Sequence, residues 1–171
     1  MNRLVFIVVM IVMGLNQGMQ PIAGYNFGAR QYPRVTQVLK LTIIGATIVT
    51  TTGFLLGVFI PELIVSIFTS DAELIRLSAE GYRIVVMFFP IVGFQMVTSN
   101  FFQSIGMAGK AIFLSLTRQM LFLVPCLLIL PHFYGQTGVW VSMPASDLAA
   151  SIVSGLMLWW QFRQFRKMTN G

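Results

Sequence analysis

"LTIIGATIVTTTGFLLGVFI", residues 41–60, decides the fold class of this chain. These twenty residues contain no charged side chain, and about twenty helical residues cross a hydrocarbon core of roughly 30 Å. Residues 84–108 are free of charge over a further twenty-five positions, and residues 148–162 extend a third apolar run. Each of the three segments is therefore predicted to span a bilayer as a helix.

The composition of the whole chain agrees with a membrane location. Apolar residues make up 56% of the chain and charged residues only 9%, whereas a globular domain is about 25% charged. Backbone groups in lipid must pair internally, and the apolar/polar alternation of barrel strands is absent. The sequence predicts an all-α integral membrane protein with five transmembrane helices, at approximately 3–29, 35–60, 75–106, 109–130 and 139–165.

The distribution of cations predicts the orientation. Of the eleven Lys and Arg residues, three fall on one predicted side, at Arg3, Arg76 and Arg83. The other eight fall on the opposite side: Arg30, Arg34, Lys40, Lys110, Arg118, Arg163, Arg166 and Lys167. The positive-inside rule then places the N-terminus outside and the C-terminus in the cytoplasm. Since the cations lie at helix ends, they indicate a lipid partner and not nucleic acid.

Two ionisable residues, Asp147 and Arg118, lie within the apolar parts of the predicted spans. Asp147 is the only carboxylate there, because Glu80 falls in the amphipathic stretch before the apolar run 84–108. A carboxylate at bilayer depth is expected to face protein or a cavity. It is interpreted either as a proton- or cation-responsive group or as a structural group bonded to Ser142, Ser146 or Ser151. Arg118 is expected to snorkel to the cytoplasmic headgroups; the alternative is a carboxylate partner outside this chain.

The sequence lacks the residues that an enzyme active site or a metal site would need. The chain has one histidine, His132, and one cysteine, Cys126. With Asp147 as the single carboxylate within the apolar parts of the spans, no acid/base pair, nucleophile dyad or metal-ligand cluster can be assembled there. The sequence predicts neither an enzyme nor a bound cofactor.

Polar and small residues are concentrated at the end of the first helix. Residues 14–35 read "GLNQGMQPIAGYNFGARQYPRV". On a helix, residues that recur at spacings of four and three positions lie along one face, which we call a seam. One such seam contains glycines, a proline and a tyrosine: Gly14, Gly18, Pro21, Tyr25 and Gly28. This seam predicts close helix packing. Gln17, Gln20 and Gly24 lie on the adjacent seam, where the two amides either face a cavity or contribute to packing.

The same stretch resembles the eighth helix of bacterial multidrug and toxic-compound extrusion (MATE) transporters. "FTSDAELIRLSAEGYRI" resembles the link into the tenth helix of that family, "SLTRQMLFLVPCLLILP" its eleventh and "GVWVSMPASDLAASIVS" its twelfth. The resemblance implies twelve helices in two six-helix lobes, and drug export driven by Na⁺ or H⁺. This chain would supply helices eight to twelve of the C-terminal lobe, without the N-terminal lobe, in a bacterial plasma membrane.

The resemblance also suggests where small molecules bind. The candidates for lining a cavity or stabilising the lobe are Gln17, Gln20, Asn26, Gln95, Ser99 and Asp147. Some members carry a coupling carboxylate in the tenth helix, but "FFPIVGFQMVTSN" has none. The leading hypothesis is efflux of cationic amphiphilic compounds. The alternatives are a lipid-linked oligosaccharide flippase of the same superfamily, which should carry more cations within its spans, and a non-transporting scaffold subunit.

Overall fold

The computed structural model describes residues 2–67, 70–73, 75–76, 83 and 86–170. The described range 2–67 contains three helices: α1 (Asn2–Gly28), α2 (Tyr32–Phe59) and the short α3 (Pro61–Ser66). After them come α4 (Phe89–Ser104) and α5 (Ala108–Leu116), a π-helical segment (Thr117–Leu123), α6 (Val124–Tyr134) and α7 (Gln136–Thr169). The predicted all-α architecture is thus confirmed.

Four stretches of the described chain are long and apolar enough to cross a membrane. They are Val5–Gly28, Tyr32–Phe59, Ala108–Tyr134 and Gln136–Thr169. Their outward-facing side chains are large and apolar, as in Ile44, Leu128 and Ile152, which are 56%, 72% and 60% exposed, respectively. Such exposure suits a surface that contacts lipid.

The predicted span 75–106 differs from the helix that the structure describes. Met87 and Phe88 form a turn, and α4 begins at Phe89 and ends at Ser104. Pro90 lies in the first turn of α4, where its missing N–H costs no intrahelical bond and its fixed φ favours a helix start. This helix start is not visible in the sequence, because the apolar run continues across it. Residues 77–82 and 84–85 of the predicted span lie outside the described residues.

Helices α1, α2 and α4 approach one another through glycines. A Cβ placed on Gly53 of α2 would lie 2.9 Å from Val8 Cγ2 of α1. A Cβ on Gly93 of α4 would lie 2.7 Å from Thr50 Cγ2 of α2. Glycine therefore permits both close helix contacts.

The predicted packing seam of α1 does not serve these contacts. A Cβ on Gly14, Gly18 or Gly28 would meet nothing within 4 Å, and Tyr25 is 78% exposed. The helix also runs through Pro21 without a break. On the adjacent seam it is Gly24 that approaches another element, since its Cβ would lie 2.9 Å from the Ser104 carbonyl. The prediction of a small-residue packing seam was therefore wrong about which side of α1 is packed.

A one-residue turn joins α6 to α7 and fixes their relative position. Gly135 adopts φ +60°, which glycine adopts without the penalty that a side chain would bring. Gly138 then lies so close to Leu130 and Pro131 that a Cβ would overlap their backbone atoms. Ser142 Oγ lies 3.1 Å from the Cys126 carbonyl oxygen, which shows how closely α7 approaches α6. The hairpin thereby places the middle of α7 beside the π-helical segment.

An aromatic cluster ties together one end of the bundle. The ring of Tyr32 stacks on Phe165 at 5.1 Å between centroids, and Phe27 lies 6.0 Å from both rings. The end of α1, the start of α2 and the end of α7 therefore lie together. This end, which we call the basic end, carries seven cations on or next to these helices and α5: Arg30, Arg34, Lys40, Lys110, Arg163, Arg166 and Lys167.

Candidate functional site

An ion pair joins Arg118 and Asp147, the two ionisable residues within the apolar parts of the predicted spans. Arg118 Nε donates to Asp147 Oδ1 at 2.7 Å, with side chains 36% and 10% exposed, respectively. Arg118 therefore neither snorkels to headgroups nor needs a carboxylate from outside the chain, and both expectations are corrected. The desolvation cost of each charge is offset by its partner. Because Arg118 is paired with Asp147, seven of the eight cations assigned to the cytoplasmic side remain in that group.

The hydroxyls expected around Asp147 are engaged elsewhere. Ser142 Oγ donates to the Gly138 carbonyl at 2.6 Å, and Ser146 Oγ donates to the Met143 carbonyl at 2.8 Å. Ser151 Oγ donates to the Leu148 carbonyl at 2.7 Å. These are back-bonds within α7, which are common for serine inside helices. The side chain that bonds Asp147 in the described chain is Arg118 rather than serine.

Arg118 belongs to the π-helical segment. At its end the Val124 N–H donates to the Gln119 carbonyl, five residues back, and Pro125 follows at once. Proline offers no N–H and its ring crowds the carbonyl four residues earlier, so the regular helical ladder is interrupted here. The widened turn thus coincides with the one cation that pairs inside the described spans.

A polar groove opens around the ion pair. One part of about 200 Å³ lies between α4 and α5 and includes Gln95, Ser99, Asn100, Ser115 and Gln119. A second part of about 380 Å³ reaches Asp147 and shares Met96, Arg118 and Gln119 with the first. Its remaining wall is apolar and comes mainly from α1, α4 and α7, including Val5, Val9, Phe89, Val92, Met143 and Pro144.

The structure brings some of the sequence-predicted residues into this groove. Gln95 is buried and its Oε1 has no hydrogen-bond partner among the described residues. Ser99 Oγ lies 3.4 Å from Ser115 Oγ across the groove. Gln20 does not line the groove itself, but its Nε2 donates to Asn100 Oδ1 at 3.3 Å and links α1 to the groove wall.

Two predicted residues lie elsewhere. Gln17 is exposed on α1 and does not line the polar groove. Asn26 is buried near the basic end, where its Nδ2 donates to the Ile22 carbonyl of its own helix at 2.8 Å. Its side chain therefore supports the last turn of α1.

Sequence reasoning missed several polar residues of this region. Ser115 and Gln119, which were not among the predicted residues, recur with the predicted Arg118 at three- and four-residue spacing, so a polar stripe was visible on the fourth predicted helix. Asn16 is 2% exposed, and neither amide atom of its side chain has a partner in the described chain. Nothing in its sequence context separates it from Gln17, because burial depends on which side of α1 packs.

The described residues offer no obvious metal centre. No group of three or more His, Cys, Asp or Glu side chains in the described part of the chain is arranged to hold an ion. The chemistry available in the polar groove is therefore that of one compensated charge pair, amides and hydroxyls. These groups can bind and orient a small molecule.

Comparison with known proteins gives this groove a family context. The MatE family model matches residues 1–128. The multidrug export protein MepA of Staphylococcus aureus (strain MSSA476) is 26% identical over 149 residues, covering 86% of this chain and 33% of MepA. MepA of Staphylococcus haemolyticus (strain JCSC1435) is 24% identical over 149 residues, covering 86% of this chain and 32% of that protein. This chain thus spans about a third of the curated relatives' length.

Solved structures agree with these sequence matches. The structure of the MATE multidrug transporter DinF-BH in complex with rhodamine 6G is 38% identical, with a TM-score of 0.85, and covers 92% of this chain and 35% of DinF-BH. An inward-facing MATE transporter at 20% identity also has a TM-score of 0.85, over 98% of this chain and 39% of that one, which shows a shared fold. The chain is a multi-pass membrane protein and belongs to the MATE family.

Proposed function

We propose that this chain forms part of the C-terminal lobe of a secondary multidrug exporter, which moves cationic amphiphilic compounds by alternating access in exchange for Na⁺ or H⁺. The observation that carries the proposal is the polar groove between apolar helices. In a membrane protein, polar and ionisable side chains of this kind mark substrate and ion pathways. The missing partner would be the N-terminal lobe of the same transporter.

The chemistry of the groove fits a cation with an apolar body. Its apolar wall includes Phe89, Val92 and Met96, and methionine adapts to ligands of different shape. Its polar wall includes Gln95, whose buried Oε1 has no hydrogen-bond partner among the described residues, and the carboxylate of Asp147. A bound cation would compete with Arg118 for Asp147, which gives the ion pair a role in coupling.

The proposal for the coupling ion rests on the same ion pair. Helix α4 carries no acid, so Asp147 is the carboxylate that this part of the molecule offers to Na⁺ or H⁺. Either ion would weaken the attraction between Asp147 and Arg118, by coordination or by protonation. A further coupling carboxylate in the N-terminal lobe is compatible with this scheme.

Rhodamine 6G uptake into everted membrane vesicles, whose lumen corresponds to the outside of the cell, tests the function with the full-length protein that contains this chain. The two gradients are imposed one at a time. We expect one of them, of Na⁺ or of H⁺, to drive transport of the dye. Gln95→Leu should slow export several-fold, because it removes the amide from the groove. Gln37→Leu is the matched control, since Gln37 lies exposed on α2 away from the groove. Export that responds to neither gradient would contradict the coupling proposal.

The flippase and scaffold alternatives gain no specific support. A flippase for an anionic pyrophosphate headgroup should present free cations within its spans, whereas Arg118 is already paired with Asp147. We also propose that the basic end faces the cytoplasm of a bacterium, as the positive-inside rule requires. The N-terminus of this chain would then lie outside.

A further inference from the structure

We propose that the basic end contains a binding site for the phosphate headgroup of an anionic phospholipid. The site is a groove of about 380 Å³ between the start of α2 and the end of α7, which we call the basic groove. Its lining includes Tyr32, Thr36, Lys40, Phe165, Arg166 and Asn170. It is separate from the polar groove and does not depend on the proposed transport activity.

Two cations converge on the basic groove from different helices. Lys40 lies two turns inside α2 and Arg166 lies in the last turn of α7. Helical side chains tilt toward the N-terminus of their own helix, so the Lys40 stem leads back toward the end of the bundle, where Tyr32 and Arg166 lie. A lysine in a span commonly extends its ammonium to the interface in this way.

Among the described residues, these positive charges have no acidic side chain as a partner. Residues 1–61 and 148–171 contain neither Asp nor Glu, so α1, α2 and the second half of α7 provide no carboxylate. Within the described chain, neither Lys40 nor Arg166 forms a salt bridge. Other cations in the same part of the sequence, such as Arg34, add to the positive potential. The groove therefore presents uncompensated charge that an anion would neutralise.

The walls of the groove favour a lipid over a water-soluble anion. Phe165 and Tyr32 form one apolar side through their stacked rings, and Phe162 extends it along α7. Next to Lys40, Leu41 is 62% exposed on the outward face of α2. Basic pockets between transmembrane helices at the membrane interface suit anionic headgroups. A phosphate could contact Lys40 and Arg166 while its acyl chains follow the apolar helix surface.

Native mass spectrometry of the full-length protein, extracted in mild detergent, tests the site. The probe is an equimolar mixture of phosphatidylglycerol and phosphatidylethanolamine, and the readout is the number of each lipid retained. We expect preferential retention of phosphatidylglycerol. Lys40→Gln with Arg166→Gln should weaken that retention by roughly ten- to thirtyfold, since two cations near an anionic headgroup are removed.

Arg163→Gln with Lys167→Gln is the matched control. It removes two positive charges from the same turns of α7, at exposed residues that do not line the basic groove. We expect this double variant to retain phosphatidylglycerol like the wild type. Equal loss in both double variants would show general charge attraction and overturn the proposal, as would equal retention of the two lipids by the wild type.

Two additional measurements keep the result interpretable. Circular dichroism and gel filtration should match the wild type for both double variants, because Lys40 and Arg166 are exposed and lie outside the buried core. If Lys40→Gln with Arg166→Gln does not fold, Lys40→Gln alone should still reduce retention.

A competition experiment separates a lipid from a soluble phosphate. Glycerol 1-phosphate is added to the wild-type protein as a soluble competitor. Displacement of the lipid by equimolar glycerol 1-phosphate would contradict a site that needs the acyl chains.

Discussion

At the scale of single residues, the ion pair between Arg118 and Asp147 offers the sharpest stability prediction. Breaking a buried pair leaves one charge without compensation, but Arg118 is partly exposed, so solvent reduces the cost. We expect Arg118→Met and Asp147→Asn each to lower the free energy of unfolding by about 1–3 kcal/mol. The double variant should recover most of that loss, because neither charge then remains alone. Thermal unfolding in detergent measures all three variants, and additive losses would contradict the coupling.

The identity of Asp147 as an intramembrane acid was predictable, but its partner was not. A carboxylate in an apolar segment is visible in the sequence, and so is Arg118. Their meeting depends on the one-residue turn at Gly135 and on the π-helical segment. Each feature fixes how two helices face each other, which hydropathy does not encode. The snorkelling interpretation of Arg118 was wrong for this reason.

At the scale of helices, Gly93→Ala tests the contact between α2 and α4. The new methyl would lie 2.7 Å from Thr50 Cγ2 and 2.9 Å from Thr50 Oγ1. Thr50 cannot easily turn away, because its Oγ1 donates to the Ala46 carbonyl at 2.8 Å. We expect a loss of about 1–3 kcal/mol in the free energy of unfolding, measured by thermal or denaturant unfolding in detergent.

Gly14→Ala is the matched control for this helix contact. A Cβ at Gly14 would meet nothing within 4 Å, and alanine is favoured over glycine inside a helix by up to about 1 kcal/mol. The variant should therefore unfold at the same temperature as the wild type or slightly higher. If Gly93→Ala were equally well tolerated, the close approach of α2 and α4 would be incorrect.

The glycines also show how far helix packing can be predicted from a sequence. Gly14 and Gly18 have the spacing of a packing motif, and so do Gly53 and Gly57. Of these two pairs, the second lies on a buried face of its helix and the first does not. Helix content followed from hydropathy, but the choice of packed face depends on neighbouring helices. The end of a helix inside an apolar run, as at Phe88, is hidden for a similar reason.

At the scale of the whole molecule, the gathering of seven cations at the basic end predicts the topology of the membrane protein. Gln31→Cys and Gln136→Cys, each made in the full-length protein with Cys126→Ala and every other cysteine replaced, place one exposed thiol at each end of the bundle. A membrane-impermeant maleimide is added to intact bacteria that produce the full-length protein. We expect labelling of Gln136→Cys alone, since the positive-inside rule keeps Gln31 beside Arg30 and Arg34 in the cytoplasm.

Permeabilised cells supply the control for this labelling experiment. Both variants should react after permeabilisation, which shows that each thiol is accessible once the reagent reaches its side. Labelling of Gln31→Cys in intact cells would reverse the topology. The reversed result would also place the basic groove in the outer leaflet, away from the anionic cytoplasmic lipid surface, so the orientation of the whole molecule bears directly on which leaflet supplies its phospholipid.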